Sequence, residues 1–181
     1  MAWAVDAALG SGLRPVLVVV GYRGDEVRAA ITSRTSRSSR TPVGVNSAMF
    51  ARASVEVVEN PEWEEGIASS LRAALTALTP MADVEAVAVG LADQPSVTSE
   101  AYRQVAATDG DLVLPIYDGQ PGNPVKLARS LWSEALELRG DVGARALARD
   151  RPVVRVDCTN TGSAADVDTL EDLERLQQED Q

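Results

Sequence analysis

The 181-residue chain has no histidine, one cysteine and one lysine, and each shortage removes a class of chemistry. Without histidine there is no Ser-His-Asp triad, no Cys-His pair, no imidazole acid–base catalysis and no His-containing metal site. Cys158 alone excludes an intramolecular disulfide and any multi-cysteine zinc or iron–sulfur site. Lys126 is the only lysine among 17 basic residues, so a lysine-dependent step uses Lys126 or none. Positive charge is also short: 27 acidic residues give a net charge of −10, which argues against a nucleic-acid binder, since that needs a basic face. No leader or membrane segment is expected either, because the start has no positive region and the longest Val-rich run, 16–20, is far too short to span a bilayer. The expectation is a cytoplasmic protein with no membrane partner. What remains is hard-ion chemistry: carboxylates, Mg²⁺ or a similar cation, and phosphates.

Two periods alternate along the chain. Short, almost continuously apolar, Val-rich runs at 16–20, 55–58, 86–91, 112–116 and 153–156 read as strands buried on both faces. Helical spacing is found at 2–9, 25–31, 68–78, 99–107, 129–138 and 169–177. The alternation predicts one α/β domain over 1–181, three-layered and with a mostly parallel sheet. Residues 32–54 stand apart: Arg34, Arg37, Arg40 and Arg52 are present with no acid, among many Ser and Thr. This reads as a flexible insertion, either a solvated loop or a phosphate grip.

In parallel sheets ligands bind beyond the C-terminal strand ends, so the residues after each Val-rich run are the candidates. Asp93, in Ala92-Asp93-Gln94-Pro95, sits where Pro95 stops the strand; its carboxylate is either a ligand for a hard cation or a turn opener before a helix capped by Thr98 or Ser99. Asp166 and Asp168 are two apart and would face opposite sides of an extended chain. Asp168 or Thr169 suits an N-cap, with Glu171 or Asp172 completing a capping box, which leaves Asp166 the better metal candidate. Asn60, Gly66, Ser69 and Ser70 lead from a strand end into a helix: a polar-ligand site, or simply a capped helix start. Gly122-Asn123-Pro124 and Gly140-Asp141-Val142-Gly143 are Gly-rich turns, each weak evidence alone.

Taken in order, these pieces resemble one family. Asn-Pro-x-Trp-x-x-Gly-x-x-Ser-Ser-Leu at 60–71, Asp-Gln-Pro at 93–95, Gly-x-Pro-Val at 122–125, Gly-Asp-x-Gly-Ala-Arg at 140–145 and Asp-Val-Asp-Thr-x-Glu-Asp-Leu at 166–173 are similar to the molybdenum cofactor cytidylyltransferases. The resemblance implies a Rossmann-like, glycosyltransferase-A-type nucleotidyltransferase fold. It also implies transfer of CMP from CTP to the terminal phosphate of a molybdopterin-type cofactor, with release of pyrophosphate. By position, Asp93 and Asp166 would be catalytic and, with Asp168, hold Mg²⁺. Asn60, Gly66, Ser69 and Ser70 would line the nucleotide pocket, and Gly122, Asn123 and Pro124 would border the acceptor. A molybdoenzyme or its chaperone is a further implied partner.

Two departures stand out. Relatives carry His where this chain has Asn123, which can still donate and accept hydrogen bonds. The family also opens with a strand and a loop of the type Leu-Ala-Ala-Gly-x-Ser-x-Arg-Met-Gly-x-x-Lys that wraps the triphosphate. Here 2–9 matches the helix that follows that loop, so the expectation is an N-terminally truncated domain, lacking its first strand and catalytically impaired. The alternatives are a non-catalytic module that binds a cofactor or partner, and a guanylyl- or sugar-phosphate nucleotidyltransferase.

Overall fold

A computed structural model describes residues 2–38, 55–149, 151–163, 165–167, 169 and 172. The helices are α1 (Ala2–Gly10), α2 (Gly24–Ser38), α3 (Ile67–Leu78) and α4 (Ser99–Ala107), with a short helical turn at Trp132–Ala135. The strands are β1 (Val16–Val20), β2 (Val55–Glu59), β3 (Ala86–Val89), β4 (Leu112–Tyr117), β5 (Gln120–Pro121), β6 (Val125–Ala128) and β7 (Val154–Asp157).

All five Val-rich runs form strands, as β-branched side chains favour, but the expected burial on both faces does not hold throughout: β7 is mostly exposed and β2 carries exposed Glu56 and Glu59. Side-chain alternation then sorts them between two apolar layers. On one face Leu112 and Leu114 of β4, Val87 and Val89 of β3, and Val125 and Leu127 of β6 pack with Leu71, Leu75 and Leu78 of α3. On the other, Val113 and Tyr117 of β4, Ala88 of β3 and Val156 of β7 pack with Ala101, Tyr102 and Val105 of α4 and Ala7 and Ala8 of α1. This is the expected three-layer α/β arrangement.

The sheet is mixed rather than mostly parallel. β1 pairs with β2 and β4 with β7 in parallel, whereas β6 runs antiparallel to both β3 and β4, and β5 antiparallel to β4. It also lies in two pieces: β1–β2 is one sheet and β3–β6–β4–β5, with β7 on β4, the other. α3 packs on β1 and β2, and Leu17 of β1 reaches the core that α3 shares with β3, β4 and β6.

Two helical expectations change. α2 continues through Ser38, so residues 32–38, read as loop, are helical; nothing before Pro42 in that stretch carries a helix-stopping Gly or Pro. Residues 39–54 lie outside the described residues. The expected helix at 129–138 is a 3₁₀ turn (Arg129–Leu131) running into the Trp132–Ala135 turn. Of the final helix only the start is described, and there the capping box forms: Asp172 Oδ2 accepts from Thr169 N (3.1 Å) and Thr169 Oγ1 (2.7 Å), and Thr169 Oγ1 accepts from Asp172 N (3.1 Å). No helix among the described residues is long and apolar enough to cross a membrane.

Candidate functional site

The loops that follow β3 and β7 run side by side. Val97 bridges to Gly162, Ser163 N donates to Ser96 O (3.2 Å) and Val167 N to Asp93 O (2.8 Å). Gly162 sits at φ 129°, and a Cβ there would lie 2.1 Å from the Ser96 carbonyl oxygen, so only glycine allows this approach. The pairing brings the Asp93 and Asp166 stretches together, although they are distant in sequence. Both aspartates are exposed. Asp168 lies outside the described residues.

Gln94 joins a third motif to these two. It is buried, 5% exposed, and its Nε2 donates to Asp166 Oδ1 (2.8 Å) while its Oε1 accepts from Asn123 Nδ2 (3.0 Å). Asn123 is itself buried, and its carbonyl accepts from the Tyr117 hydroxyl (2.8 Å). Burial pushes the Tyr117 phenol upward, so it stays a neutral donor. Gly122 N donates to Pro115 O (3.0 Å), and Gly122, Asn123 and Pro124 are all buried. The stretch expected to border an acceptor therefore faces its own chain.

The second expected cluster, near the start of α3, also forms. Asn60 Nδ2 donates to Ser69 Oγ (2.8 Å) and Ser70 Oγ (3.1 Å), Asn60 Oδ1 accepts from Glu62 N (3.0 Å), and Ser69 Oγ donates to Gly66 O (2.8 Å). Asn60 N in turn donates to Val20 O (2.8 Å), which ties the loop to the end of β1. Asn60 and Ser69 are each 2% exposed, so they shape the loop from inside. Gly66, at φ 98°, is approached closely by backbone, since a Cβ would stand 2.7 Å from the Gly140 carbonyl carbon. Ala68 N donates to Gly140 O (3.1 Å), which fastens the 140–143 turn to α3. Arg72, bonded to Glu65 (2.6 Å) and Glu62 (3.0 Å), braces the intervening turn, and those two bonds hold its guanidinium above its ordinary value.

The role of Gln94 was not singled out from sequence. Its place inside Asp-Gln-Pro was the available signal, but the partners 29 and 72 residues away become visible only in the fold. Lys126 is accounted for structurally: Nζ donates to the carbonyls of Ala106 (3.1 Å) and Thr108 (2.7 Å) at the end of α4. Cys158 is buried, and burial pushes its thiol above the usual value, as suits an inert core cysteine.

Chemically, Asp93 and Asp166 offer exposed, hard oxygen donors on adjoining loops, a donor set that fits a hard divalent cation. Among the described residues no group of three or more His, Cys, Asp or Glu side chains gathers to hold a metal ion.

Comparison with known proteins places these features. The family described as MobA-like NTP transferase domain matches residues 1–156. The nicotine blue oxidoreductase of Paenarthrobacter nicotinovorans is 31% identical over 150 residues, covering 74% of this chain and 72% of that protein. The crystal structure of Rv0371c from Mycobacterium tuberculosis H37Rv is 28% identical and aligns with a TM-score of 0.67 over 98% of this chain and 83% of its own. A manganese complex of Rv0371c gives 27% identity and a TM-score of 0.65, over 97% and 84%. The molybdopterin-guanine dinucleotide biosynthesis protein A of Archaeoglobus fulgidus shares the fold at 16% identity, with a TM-score of 0.58 over 98% and 83%.

Proposed function

We propose a specific reaction from one premise: the chain belongs to the MobA-like NTP transferase family, whose chemistry is nucleotidyl transfer. The finer reading is that an oxygen of the terminal phosphate of a molybdopterin-type cofactor attacks the α-phosphorus of CTP. A P–O bond forms there, the bond to the β-phosphate oxygen breaks, and pyrophosphate leaves. The observation that carries this reading is the junction at which Asp93, Gln94, Asn123 and Asp166 meet, because it places two open carboxylates at one end of the strands.

Asp93 and Asp166 would hold Mg²⁺, and the manganese complex of Rv0371c supports a divalent metal ion as the cofactor. Bound there, the ion would neutralise charge on the phosphates. The Asn60–Ser69–Ser70 network holds the loop that precedes α3 in one shape, so this segment would meet the nucleotide already ordered. The choice of CTP and of the molybdopterin acceptor rests on the motif resemblance.

The test is pyrophosphate release from CTP with molybdopterin cofactor and Mg²⁺. Asp93→Ala is expected to abolish it, and undiminished turnover in that variant would remove the metal assignment. Preference for GTP would make the protein a guanylyltransferase instead. A second reading has its own support in the 31% identity to nicotine blue oxidoreductase: an oxidoreductase activity on nicotine blue. Reductant-dependent bleaching of nicotine blue, with no pyrophosphate from any NTP, would decide for it.

A further inference from the structure

We propose that Gln94 is a positioning residue whose amide, oriented by Asn123, sets the Asp166 carboxylate to receive a divalent cation; this rests on the metal reading above. A glutamine amide is polar in a fixed sense, with a donor at one end and an acceptor at the other. Asn123 Nδ2 meets the acceptor end at 3.0 Å, which turns the donor end toward Asp166 Oδ1 at 2.8 Å. With Gln94 5% and Asn123 6% exposed, neither amide can reverse cheaply by exchanging its partner for water. The backbone of Asn123 is held in its turn by the Tyr117 hydroxyl, which donates to its main-chain carbonyl.

The bond to Gln94 uses Oδ1 of Asp166 and fixes the plane of a carboxylate that is otherwise exposed on a loop. Such orientation is what a ligand-supporting hydrogen bond supplies to a metal site. The consequence is specific. Asn123 does not touch the cation, yet reversing its polarity should weaken cation binding, because an acceptor at 123 would draw the Gln94 donor away and turn an oxygen toward Asp166.

Mn²⁺ titration followed by electron paramagnetic resonance reads this without turnover. Asp166→Asn should lose the bound-Mn²⁺ signal. Gln94→Met, which keeps the length of the side chain but neither polar end, should weaken Mn²⁺ binding about ten- to a hundredfold, the range found when a metal ligand loses its supporting partner. Asn123→Asp should weaken it comparably, with the melting temperature recorded alongside. If Gln94→Met and Asn123→Asp bind Mn²⁺ as the unmodified chain does while Asp166→Asn does not, the positioning role is overturned and the metal reading stands. If Asp166→Asn binds Mn²⁺ normally, both fall together.

Discussion

At the last residue of β7, Asp157 Oδ1 accepts from Thr159 Oγ1 (2.7 Å) and Thr159 N (3.0 Å). Those bonds favour the charged form and hold its carboxyl below the ordinary value for aspartate. A lowered native pKa adds stability above the unfolded pKa and loses it as pH falls through the native one. Asp157→Ala should therefore lower the melting temperature at neutral pH, with the gap to the unmodified chain closing as pH drops below about 4. A gap independent of pH would mean that the bonds contribute nothing through ionisation. Tyr102 titrates with the opposite sense: burial raises it to about 12, so its stabilisation is complete below about 10 and is lost at higher pH. An ultraviolet titration of its phenol near 10 would contradict its burial. Gly66 shows how far a single letter could be read. That Gly66 belongs to the turn opening a helix was legible; that the chain approaching it is Gly140, 74 positions away, was not. Gly66→Ala combines that clash with an unfavourable φ and should destabilise the fold by about 1–3 kcal/mol in urea unfolding.

β6 shows why elements are easier to see than their partners. Val125 and Leu127 are buried and alternate with Lys126 and Ala128, a strand pattern too short to stand out after the Gly-rich turn at 119–124. It was not among the Val-rich runs read as strands. In the fold, Lys126 caps the C-terminal end of α4, where unpaired carbonyls and the negative end of the helix dipole favour a cation. The N-terminal end of α4 is capped by Thr98, whose side chain accepts from Ala101 N. Lys126→Met and Thr98→Ala should each destabilise the protein by about 1 kcal/mol, and the effects should add, since the two caps share no partner. Urea midpoints of the two single variants and the double variant test this. Full additivity is expected, and a double variant no worse than either single one would show that α4 is not held at both ends.

For the whole molecule, period alone was sufficient to predict five of the seven described strands, four of the helices and the three layers, because each layer's apolar pattern is local. Pairing is not local. That β6 enters antiparallel between β3 and β4, and that β1–β2 forms a separate sheet, depend on contacts no window of sequence contains. The division has an energetic consequence. β4 is hydrogen-bonded on both sides, by β6 and β7, and nearly all of its residues are buried, whereas among the described residues β1 and β2 pair only with each other and are covered by α1, α2 and α3. A two-stranded ribbon is marginal by itself, so its opening should require less free energy than that of the larger sheet. Native-state hydrogen exchange in low urea should therefore show β1 and β2 amides exchanging through a sub-global opening while β4 amides follow global unfolding. Because Asn60 N is bonded to Val20 O at the end of β1, the loop leading into α3 should lose protection together with β1. One common free energy for all strands would mean that α3 welds the two sheets into a single cooperative unit. In that case the Asn60 loop is as rigid as the core, and ligand binding would have no opening equilibrium to shift.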